Sequence, residues 1–356
     1  MEARPKVLII YTGGTIGMIK DAETAQLSNV NFNHIYDHVP ELKRLNVELE
    51  TTSFEHPVDS SEMNTEHWQR IAETIFDNYA LYDGFVVLHG SDTMAYTASA
   101  LSFMFQGLTK PIILTGSQLP IGIIRTDGKE NLITAIEIAA ARDQNEQAIV
   151  QEVAVYFEYK LFRGNRSTKD SAEHFEAFRS PNFPELAVAG VEIKYNWERL
   201  FRDTNRKFQL NTRLNPRIAL IKLFPGLHFE SYAALIDRRH VDGVVLETFG
   251  AGNASSSGEI RTILDRFIQS GGLVLNITQC SSGAVQQGLY KSSSQFNEIG
   301  VVSGVDMTTE AAVTKMMAVL ATADSKDFKQ LLGSNLRGEL TEARANYALG
   351  LERPNS

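Results

Sequence analysis

The first apolar run in the chain, Val7 to Tyr11, is continuous and β-branched, the pattern of a strand covered on both faces in a parallel sheet. It runs straight into Thr12-Gly13-Gly14-Thr15-Ile16-Gly17, where the glycines let the backbone approach a ligand and leave the Thr15 hydroxyl presented at the strand's carboxyl end. Ile19 to Asn33 is polar and has neither helical nor strand period, so a surface loop is expected there, in the position of a lid over Thr15. Val47 to His56 reads as a second strand, followed by the polar turn Pro57 to Met63 and by Asn64, a good helix N-cap. Behind it Trp68, Ile71, Ala72, Ile75, Phe76 and Tyr79 recur at helical spacing. Asp83 to His89 predicts another buried strand, and Gly90-Ser91-Asp92-Thr93 a loop that opens a helix near Met94, so the strand, polar loop and helix unit occurs twice.

The alternation continues with strands at Lys110 to Thr115 and Val153 to Glu158, a helix around Leu132 to Ala141, and the polar turn Arg163 to Lys169. It breaks over residues 191–215, a charged stretch expected to link two domains. A second series follows, with strands at Ile218 to Leu223, Gly243 to Glu247 and Leu273 to Ile277 and helices near Glu230 to Arg239, Ile260 to Gln269 and Met307 to Ala323; the end from Tyr347 reads as a frayed tail. The pattern predicts an α/β protein of two α/β domains with mostly parallel sheets flanked by helices. The expected division is an N-terminal catalytic domain at 1–190, a linker at 191–215 and a smaller C-terminal domain at 216–356, with the active site at the carboxyl ends of N-domain strands.

With 356 residues, 43% of them hydrophobic, the chain can bury the cores of two such domains. A net charge of −9 argues against nucleic acid or an anionic membrane as partner. The N-terminal apolar run is too short for a signal peptide or a spanning helix, so a cytoplasmic location is expected. Cys280 is the single cysteine, which excludes an intrachain disulfide and a cysteine metal cluster; it is expected to be a small buried filler.

Thr12 to Thr15, Gly90 to Thr93 and Arg163 to Lys169 each follow a predicted strand, and Asp59 to Ser61 precede a helix, so the four clusters can meet in one crevice. A hydroxyl nucleophile needs a base, and Ser91, Asp92 and Lys169 have the chemistry of a proton relay, while turn N–H groups and the start of the Met94 helix have that of an oxyanion site. Each piece also has a plainer explanation. Asp92 or Thr93 would cap a helix, Ser60 and Ser61 would be turn residues, Lys169 beside Asp170 would be a surface ion pair, and His89 would be a hydrogen-bonded core histidine. The glycine spacing Gly13, Gly14, Gly17 does not fit a dinucleotide fingerprint.

Taken together, Tyr11-Thr-Gly-Gly-Thr15-Ile-Gly-Met, Asp59-Ser-Ser-Glu-Met63, His89-Gly-Ser-Asp-Thr-Met-Ala-Tyr96 and Phe162-Arg-Gly-Asn-Arg-Ser-Thr-Lys169 closely resemble the signatures of bacterial-type L-asparaginases, specifically the cytoplasmic type I branch. The likeness extends through Thr248-Phe-Gly-Ala-Gly-Asn253, Asn276-Ile-Thr-Gln-Cys280 and Asn335-Leu-Arg-Gly-Glu-Leu340, and so covers nearly the whole chain. The resemblance implies hydrolysis of L-asparagine to L-aspartate and ammonia, with a possible minor glutaminase activity and without metal or organic cofactor. Thr15 matches the nucleophilic threonine, and Ser91, Asp92 and Lys169 match the relay, position 91 being a threonine in the family. Asp59, Ser60 and Ser61, with Ser91 and Asp92, match the residues that hold the substrate. A lid tyrosine found in many members is absent from Asp21 to Leu27, where Glu23, Thr24 or a tyrosine from elsewhere would have to replace it. A homodimer or homotetramer is implied, with Asn253 of a partner completing the site, against which stands its plainer role as a turn residue. The rival readings are the asparaginase-like subunit of a tRNA-dependent amidotransferase, which carries an extra domain before its first motif where this chain has five residues before its first strand, and a catalytically silent amino-acid sensor.

Overall fold

The computed structural model describes residues 4–20, 27–29, 39–203, 206–255, 258–287 and 291–342. The chain divides into two compact units, Met1–Ile218 with Thr308–Ala323, and Ala219–Met307 with Asp324–Ser356.

The first unit is built on an eight-stranded sheet. Its parallel strands are β1 (Lys6–Tyr11), β2 (Glu48–Ser53), β3 (Gly84–Leu88), β4 (Ile112–Thr115) and β5 (Val153–Phe157). Three antiparallel strands follow on one edge: β6 (Lys160–Arg163), β9 (Ala187–Ala189) and β10 (Ile193–Tyr195). A separate hairpin pairs β7 (Thr168–Lys169) with β8 (Phe178–Arg179). The helices are α1 (Thr65–Asn78), α2 (Met94–Met104) and α3 (Gly128–Ala140). Because successive side chains of a strand face opposite ways, β1 serves two cores. Leu8 and Ile10 pack with Trp68 and Ile71 of α1 and Leu101 of α2, whereas Val7, Ile9 and Tyr11 pack with Leu132, Ile136 and Ala139 of α3. The Asn64 side chain caps α1 as expected, accepting from the N–H groups of Glu66 and His67.

Strand order across the sheet is β10-β9-β6-β5-β4-β3-β1-β2. From β1 the chain goes to β2 on one side, then to β3 on the other, and continues outward from there. The order therefore reverses between β1 and β3, and a switch of this kind places a crevice at the carboxyl ends of those strands.

Two expectations change here. Arg163 to Lys169 was expected to follow a strand ending at that crevice. Instead β6 turns back antiparallel to β5, with Arg163 opposite Ala154, so its carboxyl end lies at the far edge of the sheet. There Arg163 is buried in an ion pair with Glu152 at 2.6 Å, and the chain returns along α2 before β7 brings Lys169 to the crevice. The stretch 191–215 also contributes strands to this unit: β10 in the large sheet, and Gln209–Leu210 paired with Phe105–Gln106.

The second unit holds a four-stranded sheet in the order β11 (Ile218–Lys222), β12 (Gly243–Thr248), β13 (Leu273–Thr278), β14 (Val302–Ser303), with β12, β13 and β14 parallel. Helix α4 (Gly258–Gln269) buries Ile260, Ile263, Leu264 and Phe267 against it; α5 (Lys291–Ile299) and α7 (Phe328–Gly333) complete this unit. The helix expected near Glu230 to Arg239 is only a single 3₁₀ turn, Phe229–Tyr232, followed by irregular turns. Helix α6 (Thr309–Thr322) follows the second sheet in sequence but belongs to the first unit, where it packs along α2. Cys280 is exposed rather than buried, since it stands in the loop beyond the carboxyl end of β13.

Candidate active site

At the end of β1 the Thr12 N–H and hydroxyl both donate to the Leu88 carbonyl, at 3.0 and 2.9 Å, which ties the end of β1 to the end of β3. The Thr12 carbonyl accepts from the Val58 N–H at 2.8 Å and so anchors the turn that leads to Asp59. Between these anchors Gly13 and Gly14 take φ of 134° and 86°, conformations an L side chain rarely adopts. A Cβ on Gly14 would also lie 2.4 Å from the Gly90 nitrogen, so the Thr15 turn and the Ser91 loop are in backbone contact. Thr15 opens a one-turn 3₁₀ helix, Thr15–Gly17, and is half-buried; its hydroxyl has no hydrogen-bond partner among the described residues.

The Asp59 turn docks on the same loop. Thr93 spends its hydroxyl on the Ser60 carbonyl at 2.7 Å rather than on capping α2, and a Cβ on Gly90 would meet the Ser60 Oγ at 2.5 Å. Asp59 accepts from the N–H and the hydroxyl of Ser61, at 2.9 and 2.8 Å, and these two bonds hold its carboxyl below the ordinary aspartate value of 3.8. The carboxylate therefore stays charged and exposed, as a receptor for an ammonium group requires.

Lys169 reaches the crevice from β7. Its Nζ donates to the Ser91 Oγ at 2.9 Å and forms an ion pair with Asp92. The lysine side chain is 16% exposed and that of Asp92 64%, so the pair closes the inner wall and leaves a carboxylate facing outward. Asp170, the sequence neighbour offered as the lysine's partner, pairs instead with Arg179 at 2.8 Å. The adjoining Thr168 donates to Glu310 of α6 at 2.7 Å, which pins the hairpin from its other side. Lys169 thus bonds to both Ser91 and Asp92, Ser60 and the Thr15 turn contact the same loop, and Thr15 has no hydrogen bond to any of the three.

His89 lies outside this chemistry. Its ring is fully buried, with Nδ1 2.7 Å from the Gly90 carbonyl and Nε2 2.8 Å from the Thr97 hydroxyl, which also accepts from the Trp68 indole at 2.9 Å. The carbonyl can only accept, so Nδ1 carries the proton, Nε2 takes the Thr97 hydrogen, and the ring is neutral. Burial pushes its pKa down to about 4.

One residue of the site was not singled out in the sequence. The Gln118 side chain accepts from the Ser91 hydroxyl at 3.0 Å and donates to the His174 carbonyl at 3.1 Å. Its loop is shaped by the buried carboxylate of Asp127, which accepts from the N–H groups of Gln118 and Leu119. The available signal was position: Gly116-Ser117-Gln118 leaves the carboxyl end of β4, next to β3. Glu23, Thr24 and most of the expected lid at 19–33 lie outside the described residues. Asn253 is bridged to Phe249 in a turn whose positive φ values belong to Gly250 and Gly252. Among the described residues no group of three or more His, Cys, Asp or Glu side chains converges as a metal site, and no helix is long and apolar enough to cross a membrane.

Comparison with known proteins agrees with this geometry. Residues 6–201 match the family described as Asparaginase, N-terminal, and residues 217–332 match the Glutaminase/Asparaginase C-terminal domain. L-asparaginase 1 from Escherichia coli K12 is 37% identical over 95% of this chain and 98% of its own length. The 60 kDa lysophospholipase of Mus musculus is 38% identical over 96% of this chain, which spans 63% of that protein. The crystal structure of L-asparaginase I from Vibrio cholerae, 39% identical, superposes with a TM-score of 0.86 over 96% of this chain and 100% of that one. Two domain matches that together span most of the sequence, a relative matched over nearly its full length and a shared fold establish that the chain belongs to the bacterial-type asparaginase family, on its type I branch.

Proposed function

We propose that this chain hydrolyses the side-chain amide of L-asparagine to L-aspartate and ammonia, with Thr15 as nucleophile and Ser91, Asp92 and Lys169 as the proton relay. The observation that carries the reading is the Lys169 amine, held between the Ser91 hydroxyl at 2.9 Å and the Asp92 carboxylate, in the crevice that the Thr15 turn also lines. The Asp59 to Ser61 turn holds the α-amino and α-carboxylate groups of the substrate, with Asp92 also facing the ammonium, and this sets the side-chain amide against Thr15.

The Thr15 oxygen attacks the amide carbon, the C–N bond breaks, and ammonia leaves with the proton given up by Thr15. Water then attacks the resulting ester, its hydroxyl going to the acyl carbon and its proton returning to the Thr15 oxygen, which frees aspartate. In each half the Ser91 hydroxyl hands protons to and from Lys169, and Asp92 balances the charge left on the lysine. N–H groups of the Gly13 to Thr15 turn and the N-terminus of α2 face the negative charge that builds on the amide oxygen. Glutamine, one methylene longer, is a minor substrate. The same reading makes the enzyme a cytoplasmic dimer or dimer of dimers, with Asn253 of one copy facing the site of another.

The test is ammonia release from L-asparagine and L-glutamine by the purified protein and by folded Thr15→Ala and Lys169→Ala variants. Asparagine is expected to be preferred, and each variant to lose about 10³-fold or more in kcat. The name of the mouse relative makes a lysophospholipid the control substrate. A parent inert towards both amides, or variants that keep their turnover, would overturn the reading.

A further inference from the structure

We infer that Gln118 is a positioning residue that does for Ser91 the work a threonine's methyl group would do for itself. The inference rests on the amidohydrolase reading above and deepens it. A threonine at position 91 would have its χ1 restricted by the branch at Cβ, so fewer hydroxyl directions would be open to it than to a serine. Serine has three staggered wells open to it, and only one of them faces Lys169.

In this chain the Ser91 oxygen is gripped from two sides. Lys169 donates to it at 2.9 Å, and its own hydrogen goes to the Gln118 Oε1 at 3.0 Å. The orientation of the amide follows from its other end. The His174 carbonyl accepts from Nε2 at 3.1 Å and can accept only, so nitrogen faces His174 and oxygen faces Ser91. A reversed amide would set two carbonyl oxygens against each other.

Each anchor of Gln118 is itself fixed. Its backbone N–H is held by both oxygens of Asp127, a side chain that is 6% exposed and also within 3.3 Å of the Asn131 amide nitrogen. His174 stands in the connection between β7 and β8, the hairpin that carries Lys169. Gln118 thus spans from the β4 loop to the lysine's own hairpin, and Ser91 is locked between two groups whose spacing that hairpin sets. The serine then enters each proton transfer already in the rotamer that faces the lysine.

The experiment is a double-mutant cycle on the full chain: the parent, Gln118→Met, Ser91→Thr and the double variant, with kcat and KM for L-asparagine and thermal midpoints for all four. Methionine keeps the length and volume of glutamine but can neither accept from Ser91 nor donate to His174. In the Ser91 chain Gln118→Met is expected to lower kcat about tenfold with KM within about threefold of the parent's. In the Ser91→Thr chain the same change should cost about threefold or less. Gln118→Leu, which likewise removes both hydrogen bonds and adds no charge, serves as the second probe if methionine lowers the melting midpoint, with the same dependence on the residue at position 91 expected. A Gln118→Met penalty of equal size in both backgrounds overturns the inference while leaving the amidohydrolase reading intact, because a purely structural loss would not depend on the methyl at position 91. A parent inert towards asparagine overturns both.

Discussion

A buried histidine such as His89 is a residue whose worth depends on pH. Its three-link chain of Trp68, Thr97 and the Gly90 carbonyl uses every polar atom of a neutral ring, so a second proton would displace the Thr97 hydrogen from its acceptor and leave a buried charge. In the unfolded chain the ring titrates near 6.5, and in the folded one burial lowers this to about 4. Between those values the unfolded state binds more protons, so stability rises with pH and is lost as the pH falls from 6.5 towards 4. His89→Gln removes the titration. The drop in unfolding free energy between pH 7 and pH 4.5, read from urea titrations, is therefore expected to be about 2 to 3 kcal/mol smaller in the variant, two pH units at roughly 1.4 kcal/mol each. Equal drops in both proteins would show that His89 does not carry the acid limb. Full burial, with both ring nitrogens already hydrogen-bonded, keeps the histidine from serving as an alternative base, although only Gly90 separates it from Ser91.

At the level of elements, the stronger the local signal, the better it was read. Asn64 followed by an apolar stripe at Trp68, Ile71 and Ile75 is the start of α1, and the cap is in place with the His67 ring closing it reciprocally. Asn64→Ala is expected to lower stability by about 1 kcal/mol in denaturant titrations without changing KM, because the cap serves the helix alone. The buried strands β1, β3, β12 and β13 were legible for the same reason, as continuous β-branched runs. What local pattern could not carry was direction. Val153 to Phe157 and Lys160 to Arg163 are separated by Glu158 and Tyr159, whose positive φ values make a tight hairpin, but neither is a residue type that announces such a turn. Lys169 consequently meets Ser91 and Asp92 from the β7–β8 hairpin and not from the end of a strand in the large sheet. Gln118 went unnoticed because an amide after a strand has no distinctive spacing; its meaning lies in Ser91 and His174, far away in sequence. Residues Glu230 to Arg239 have the apolar content of a helix, but they fold as a single 3₁₀ turn and loose turns.

The whole chain is not two consecutive pieces. The first unit is closed by α6, which supplies buried Ala311, Ala312, Val313 and Met316, along with the Glu310 carboxylate that holds Thr168 beside Lys169. A chain ended at Ile218 would keep all eight strands of the large sheet and still lack that helix. It is expected to unfold at lower denaturant than the intact protein and to bind a hydrophobic dye, as read by urea titration and dye fluorescence; a truncated chain as stable as the parent would remove α6 from the support of the site. The order of synthesis adds a consequence. A ribosome makes Ile218 about 105 residues before Ala323, the difference of the two positions, and at roughly 5 to 20 residues per second that is about 5 to 20 seconds. Through that interval the sheet, α2 and the Lys169 hairpin are present in the nascent chain while the helix that covers them is still unmade. The second unit's strands are translated within the same window. The first unit is therefore begun first yet closed only after most of the second has been made, and its completion becomes a clock on the synthesis of nearly the entire polypeptide.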